Sequence, residues 1–318
     1  MRVFSGVLSL LVVGMSCARA EPPPFHAAVT GIAVQDVVPF EALIAYPTHT
    51  AEVPFRSGGF TIAASRDAPI AGGTRFPIVL FSHGNGRSAG SSLVHRDLIA
   101  SLARQGFIVA APFHPATTRP LPDRARQIRT ALDQLLADQR FATHADPARM
   151  AMMGFSFGGA VALVAAGAVP NLAHLSAYCR NRTDDPRACD GVSPDNPSPA
   201  LPPAKPANIA LKAIVVMEPF AALFDREGLK SVTMPALLYR AQQSDLAADG
   251  NILALAAGLP RPPRLETTPG GHFVFVDPCP PALAAESPAA CKDAAGVDRA
   301  AIHRRIETEI AAFLRQNL

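Results

Sequence analysis

The stretch Gly154-Phe155-Ser156-Phe157-Gly158-Gly159 sets a serine between glycines two positions away on either side. A serine hydroxyl is a poor nucleophile at neutral pH and needs a base to take its proton, itself oriented by a third group. The G-x-S-x-G spacing suits a sharp strand-to-helix turn, where side chains two residues from the serine would clash. Gly154 and Gly158 remove them. A helix starting just after Ser156 would point its N-terminus at the oxygen and favour developing negative charge. Behind such a turn the acid and then the histidine follow along the chain. Only His272 and His303 lie beyond residue 174. His303 falls in a helix-period segment and reads as a packing or surface residue, whereas His272 follows Pro269-Gly270-Gly271 and is the expected general base and acid. Asp245, in Ala241-Gln242-Gln243-Ser244-Asp245, is the expected orienting acid; Glu218, in Val216-Met217-Glu218-Pro219, is its rival. The backbone amides of Phe157 and Asn85, the latter in Ser82-His83-Gly84-Asn85-Gly86, are the expected oxyanion donors. His83 is expected to fix that loop; His114, in Pro112-Phe113-His114-Pro115, either lines an acyl pocket or is structural.

Positioning these groups takes alternating strands and helices, and the sequence supplies them after about residue 75. Phe76–Phe81 is an apolar run of the kind buried on both faces of a parallel sheet. Leu93–Gln105 predicts a helix stopped by Gly106, and Phe107–Ala111 the next strand. Arg124–Arg140 predicts an amphipathic helix, Met150–Met153 a strand and Phe157–Gly167 a small-residue helix. Further strands are expected at Ala213–Met217, Ala236–Tyr239 and Arg264–Glu266, and a closing helix at Arg299–Gln316. Residues 28–64 read as antiparallel edge hairpins. Ala151–Pro170 is apolar enough to imitate a membrane span, but the serine turn divides it into strand and helix. Between Pro170 and Pro206, two cysteines and eight prolines predict an irregular insertion, read as a disulfide-stapled cap over the site.

Composition sets the outer limits. The 318 residues are 49% hydrophobic and 17% charged, which excludes a disordered chain, and 31 prolines exclude coiled coils and helical bundles. A net charge of +3 without tryptophan leaves no nucleic-acid footprint. Arg2, the apolar Val7–Val13 and Ala18-Arg19-Ala20 predict a cleaved signal peptide over 1–20, and hence a periplasmic or secreted chain without stable membrane insertion. Cys17 would suit a lipoprotein site, but Gly14-Met15-Ser16 lacks the usual leucine. The mature chain keeps Cys179, Cys189, Cys279 and Cys291, an even number that favours disulfides. Of three connectivities, the local one pairs Cys179 with Cys189 and Cys279 with Cys291.

Together these residues resemble the α/β-hydrolase superfamily, and most closely exported dienelactone-hydrolase-like enzymes related to platelet-activating-factor acetylhydrolases and cutinase-type esterases. The likeness rests on the strand into Ser82-His83-Gly84, on Gly154 to Gly159, on Asp245 with Asn251 beyond it, on Gly271-His272-Phe273-Val274-Phe275, and on the ending from Pro278-Cys279 through Cys291 to Asp298-Arg299. The likeness runs from about residue 28 to the C-terminus and implies an eight-stranded, mostly parallel sheet; the catalytic domain is expected over 21–318, with the proline-rich 170–206 as its cap or lid insertion. It also implies a serine esterase mechanism through Ser156, His272 and Asp245, acting on small-molecule esters with short acyl groups or on lactones, with neither metal nor organic cofactor. A monomer or small homo-oligomer is expected. Two departures matter. True dienelactone hydrolases use cysteine where this chain has Ser156, and the acetylhydrolase relatives place the acid after the earlier strand, which keeps Glu218 in play. The rivals are acyl transfer to an alcohol by the same groups and a catalytically silent binding protein.

Overall fold

The computed structural model describes residues 23–86, 90–115, 121–180, 182–192 and 209–318. The expected signal peptide and the 193–206 part of the expected cap lie outside the described residues. The strands are β1 (His26–Val34), β2 (Phe40–Thr48), β3 (Phe55–Ser57), β4 (Phe60–Ile62), β5 (Ser65–Arg66), β6 (Phe76–Ser82), β7 (Ile108–Pro112), β8 (Ala145–Phe155), β9 (Leu211–Met217), β10 (Ala236–Ala241) and β11 (Arg264–Thr268). The helices are α1 (Arg96–Arg104), α2 (Leu121–Ala137), α3 (Phe157–Ala165), α4 (Leu172–Cys179), α5 (Pro186–Cys189), α6 (Arg226–Leu229), α7 (Ile252–Gly258), α8 (Pro281–Glu286), α9 (Pro288–Cys291) and α10 (Arg299–Asn317).

Among the described residues, nine strands form one sheet in the order β11-β10-β9-β8-β6-β7-β2-β1-β5. From β11 to β7 every pairing is parallel; β2 joins antiparallel to both β7 and β1. The ninth strand is the two-residue β5 at the edge, too short to leave a sequence pattern. β3 and β4 make a separate hairpin. The predicted helix at 93–105 begins as a 3₁₀ turn over Ser92–His95, because Ser91 accepts the Leu93 N–H; Gly106 ends the helix at φ +90°.

Parallel strands buried on both faces need helices on both. One face packs Ile78, Leu80, Met152, Ile214 and Val216 against α2 and α3; the other packs Val79, Phe81, Met153, Val215 and Tyr239 against α1 and α10. Each such side chain, fully buried, contributes about 1.5–3 kcal/mol. The chain leaves β6 for β7 and crosses back to β8, so a crevice opens at the carboxyl ends of β6 and β8. Among the described residues, no helix is long and apolar enough to cross a membrane.

Candidate active site

Ser156 stands in the turn between β8 and α3 with φ +55° and ψ −120°. An L-residue adopts that conformation only under constraint, at a cost of about 1–3 kcal/mol. The constraint is visible. A Cβ on Gly154 would fall 2.0 Å from the Gly158 oxygen, and one on Gly158 would fall 2.0 Å from the Ser82 oxygen. The turn is pinned to the next strand as well, since Ser156 N–H donates to Met217 O at 3.0 Å.

His272 reaches Ser156 from the 3₁₀ turn after β11 and is buried at 3% exposure. Its Nε2 lies 3.0 Å from Ser156 Oγ, and its Nδ1 lies 3.3 Å from Glu218 Oε2. A carboxylate only accepts, so Nδ1–H donates to Glu218 and Nε2 is left to accept the serine proton. Glu218 follows β9 with φ +46°. Its N–H donates to Tyr239 O at 2.8 Å, and the next residue, Pro219, packs where a Gly159 side chain would be. The Glu218 carboxylate is buried but satisfied: besides His272 it accepts from Ala241 N–H at 2.6 Å and from the Ser244 hydroxyl.

The β6 loop faces Ser156 from the other side. Phe157 opens α3, so its amide is one of the first-turn donors without an intrahelical acceptor. Arg124, buried on α2, braces the loop: Nη1 donates to His83 O and Gly84 O, both at 3.1 Å, and Nη2 donates to Asn85 Oδ1 at 3.3 Å. The same guanidinium lies 5.1 Å over the Phe157 ring, so one side chain touches both residues expected to bind the oxyanion. His114 Nδ1 donates to Gln127 Oε1 at 2.7 Å, and its Nε2 accepts from the Ser82 hydroxyl at 3.0 Å. His83 Nδ1 donates to Gly84 O at 2.8 Å. Burial, then the charge of Arg124, pushes His114 down to about 3. Burial, then His114 and Arg124, pushes His83 well below its ordinary value. Both rings are neutral props of the loop, and the structural reading of His114 is the one the geometry supports.

Asp245 lies close enough to His272 to feel its charge, but the carboxylate that meets Nδ1 is that of Glu218. The Asp245 carboxylate pairs with Arg187 of α5, Oδ1 accepting from Nε at 2.6 Å, and its side chain is 54% exposed. Although burial raises it, the hydrogen bond and charge of Arg187 hold this carboxyl below its usual value. The expected place for the acid is therefore corrected: the residue beside the histidine is Glu218, because the turn after β9 points its side chain inward, whereas the loop after β10 turns Asp245 out to the α5 arginine. Asn251 is structural, its Oδ1 accepting from Ala221 and Ala222 N–H at 3.0 and 3.1 Å.

A solved structure described as a ferulic acid esterase from Streptomyces cinnamoneus superposes with a TM-score of 0.62 over 94% of this chain and 92% of that one, at 18% identity. The chain has the α/β-hydrolase fold. A family model described as α/β-hydrolase fold matches residues 79–189, which run from β6 through the serine turn into α5. A curated relative, "Putative esterase NocK" of Nocardia uniformis subsp. tsuyamanensis, is 32% identical over 214 residues, 61% of this chain. The chain spans 60% of that relative's length. Within the hydrolase fold, three residues of the site carried no sequence signal. Arg124 and Arg187 read as polar positions of helix and insertion, and Ser244 as an ordinary loop serine. Both local disulfides are formed, Cys179–Cys189 and Cys279–Cys291, which suggests an extracellular or periplasmic protein.

Proposed function

We propose that the chain is a carboxylic ester hydrolase in which Ser156 is the nucleophile, His272 the base and Glu218 the orienting acid. The observation that carries this reading is the hydrogen-bonded line from Ser156 Oγ through His272 to Glu218, at 3.0 and 3.3 Å. As Oγ bonds to the ester carbonyl carbon, its proton passes to Nε2 and the carbonyl oxygen takes the negative charge. The amides of Phe157 and Asn85 receive that oxygen. Glu218 stabilises the imidazolium, which protonates the departing alcohol oxygen as the carbon–oxygen bond breaks. Water, deprotonated by the same nitrogen, then attacks the acyl-enzyme and frees the acid and Ser156. No step calls for a metal or organic cofactor.

The resemblance to dienelactone hydrolases says nothing of substrate, because the nucleophile is serine; the named activities of the relatives support ester cleavage only. We infer further that 1–20 is a cleaved leader and that the wild-type chain is exported. The test is labelling by a fluorophosphonate together with turnover of a p-nitrophenyl ester. Wild type is expected to do both and Ser156→Ala neither. Failure of wild type to label would end the esterase reading.

A further inference from the structure

The serine turn sits on the boundary between the two apolar clusters. His272 belongs to one side: Val274 and Phe275 of its turn are in the cluster packed with α1 and α10, and Phe273 lies against it. On the opposite side a cleft of about 630 Å³ opens at Ser156. Phe157, Phe220, Leu172, Leu175 and Leu223 line it, and all pack in or against the other cluster. Asn85 and Gly86 of the oxyanion loop border it, and among its described lining residues none comes from the His272 turn.

Chemistry assigns the halves of an ester to these two sides. The alcohol oxygen must take a proton from His272 Nε2, so the alcohol leaves on the histidine side. The acyl half, with its carbonyl oxygen at the Asn85 and Phe157 amides, then extends away from the histidine into the cleft. Arg187 and Asp190 also line the cleft, but an acetyl group would leave most of its volume to water against the Phe and Leu side chains, which gain by being covered. Resting on the ester-hydrolase reading, we infer that this cleft is the acyl pocket and that it selects bulky apolar acyl groups, with little discrimination of the alcohol. Asp245 has its part here. It holds Arg187 at the cleft rim, and the same guanidinium lies 5.0 Å over the Phe273 ring beside the histidine.

Burying a further methylene in such a pocket raises kcat/KM about fourfold, the equivalent of about 0.8 kcal/mol. Two substrate series separate the halves. p-Nitrophenyl acetate, hexanoate and phenylpropanoate share an alcohol; ethyl, butyl and hexyl phenylpropanoates share an acyl group. The expected result is at least a roughly tenfold rise in kcat/KM from acetyl to phenylpropanoyl, with the alcohol series within about threefold. Leu172→Trp, which fills the cleft, is expected to lower the phenylpropanoate-to-acetate ratio about tenfold. Because it is a ratio within one preparation, partial loss of folded protein cancels. Acetate turned over as well as phenylpropanoate, a stronger dependence on the alcohol than on the acyl group, or an unmoved ratio in Leu172→Trp would each overturn the pocket assignment while leaving the esterase reading standing. A wild type that neither labels nor turns over any ester would overturn both.

Discussion

In the proposed mechanism, Glu218 is the carboxylate on which the chemistry of the histidine depends. It is buried, with the Ala241 amide, the Ser244 hydroxyl and His272 Nδ1 all directed at it. Burying a carboxylate is tolerable only when it is paired in this way. Exchanging its charge for an amide leaves the shape and removes the stabilisation of the imidazolium. Glu218→Gln is therefore expected to lower kcat about 10³–10⁴-fold, as removal of a triad acid does elsewhere. Asp245→Asn loosens the clasp on Arg187 and leaves Glu218 at the histidine, so it is expected to act mainly through KM, by about three- to tenfold and most for bulky acyl esters. Steady-state kinetics of both variants on one p-nitrophenyl phenylpropanoate preparation distinguishes them. A collapse of kcat in Asp245→Asn with near-normal Glu218→Gln would reverse the assignment.

Helices act on the site from outside it. α2 carries Arg124, whose three hydrogen bonds to His83, Gly84 and Asn85 hold the β6 loop in place. Arg124→Gln cannot reach all three, so kcat is expected to fall by up to the worth of one oxyanion donor, about 10²–10³, with a smaller change in KM. α10 supports the His272 turn. His303 Nε2 donates to Val274 O at 2.9 Å, its Nδ1 lies 3.3 Å from Asp277 Oδ1, and Arg299 Nη1 donates to Val276 O at 3.3 Å. Burial pushes His303 down, but the adjacent Asp277 carboxylate and the Val274 carbonyl outweigh it, so its pKa is raised above the ordinary histidine value. A histidine raised on folding stabilises fully below its unfolded pKa, and that contribution disappears as pH rises through the folded value. His303→Gln should thus cost most stability near about pH 5 and progressively less towards about pH 9. Urea midpoints of variant and wild type across that range check it; a gap that widened with pH would contradict the ion pair.

At the level of the whole molecule, the outer wall of the cleft is a separate piece clasped to the core. Cys179–Cys189 ties α4 to α5. Asp185, fully buried, accepts from Tyr178 Oη and from Asn251 Nδ2, each at 2.8 Å, and caps α5 through the Ala188 N–H. Asn251 in turn holds the Ala221 and Ala222 amides, three and four residues beyond Glu218 and just after Phe220. Wall and acid are thereby linked. Each disulfide closes a loop of about a dozen residues, worth roughly 3 kcal/mol in the chain-entropy model. Replacing either pair by serines should lower melting temperature, but only the Cys179→Ser, Cys189→Ser variant should also raise KM for bulky acyl esters. Calorimetry and kinetics on the two double variants make the comparison; equal effects on KM would detach the wall from specificity.

Local chemistry alone settled much of this protein. Apolar runs gave β6, β7, β9 and β10 within a few residues of their bounds, and the inner part of β8, because a strand buried on both faces needs continuous apolar residues. The glycines around Ser156 announced the turn, since no other residue clears the 2.0 Å approaches it requires. His272 followed by position and by its flexible Pro-Gly-Gly approach. The acid was not legible in the same way. Glu218 and Asp245 both follow parallel strands at the carboxyl edge of the sheet, and sequence patterns give the strand but not the direction of a side chain in the turn beyond it. That direction was set by contacts distant in sequence: Pro219 packing on Gly159 and the Tyr239 carbonyl turned Glu218 inward, and Arg187, 58 residues earlier, drew Asp245 outward. Periodicity reports burial, and only packing in three dimensions decides which of two carboxylates meets the histidine.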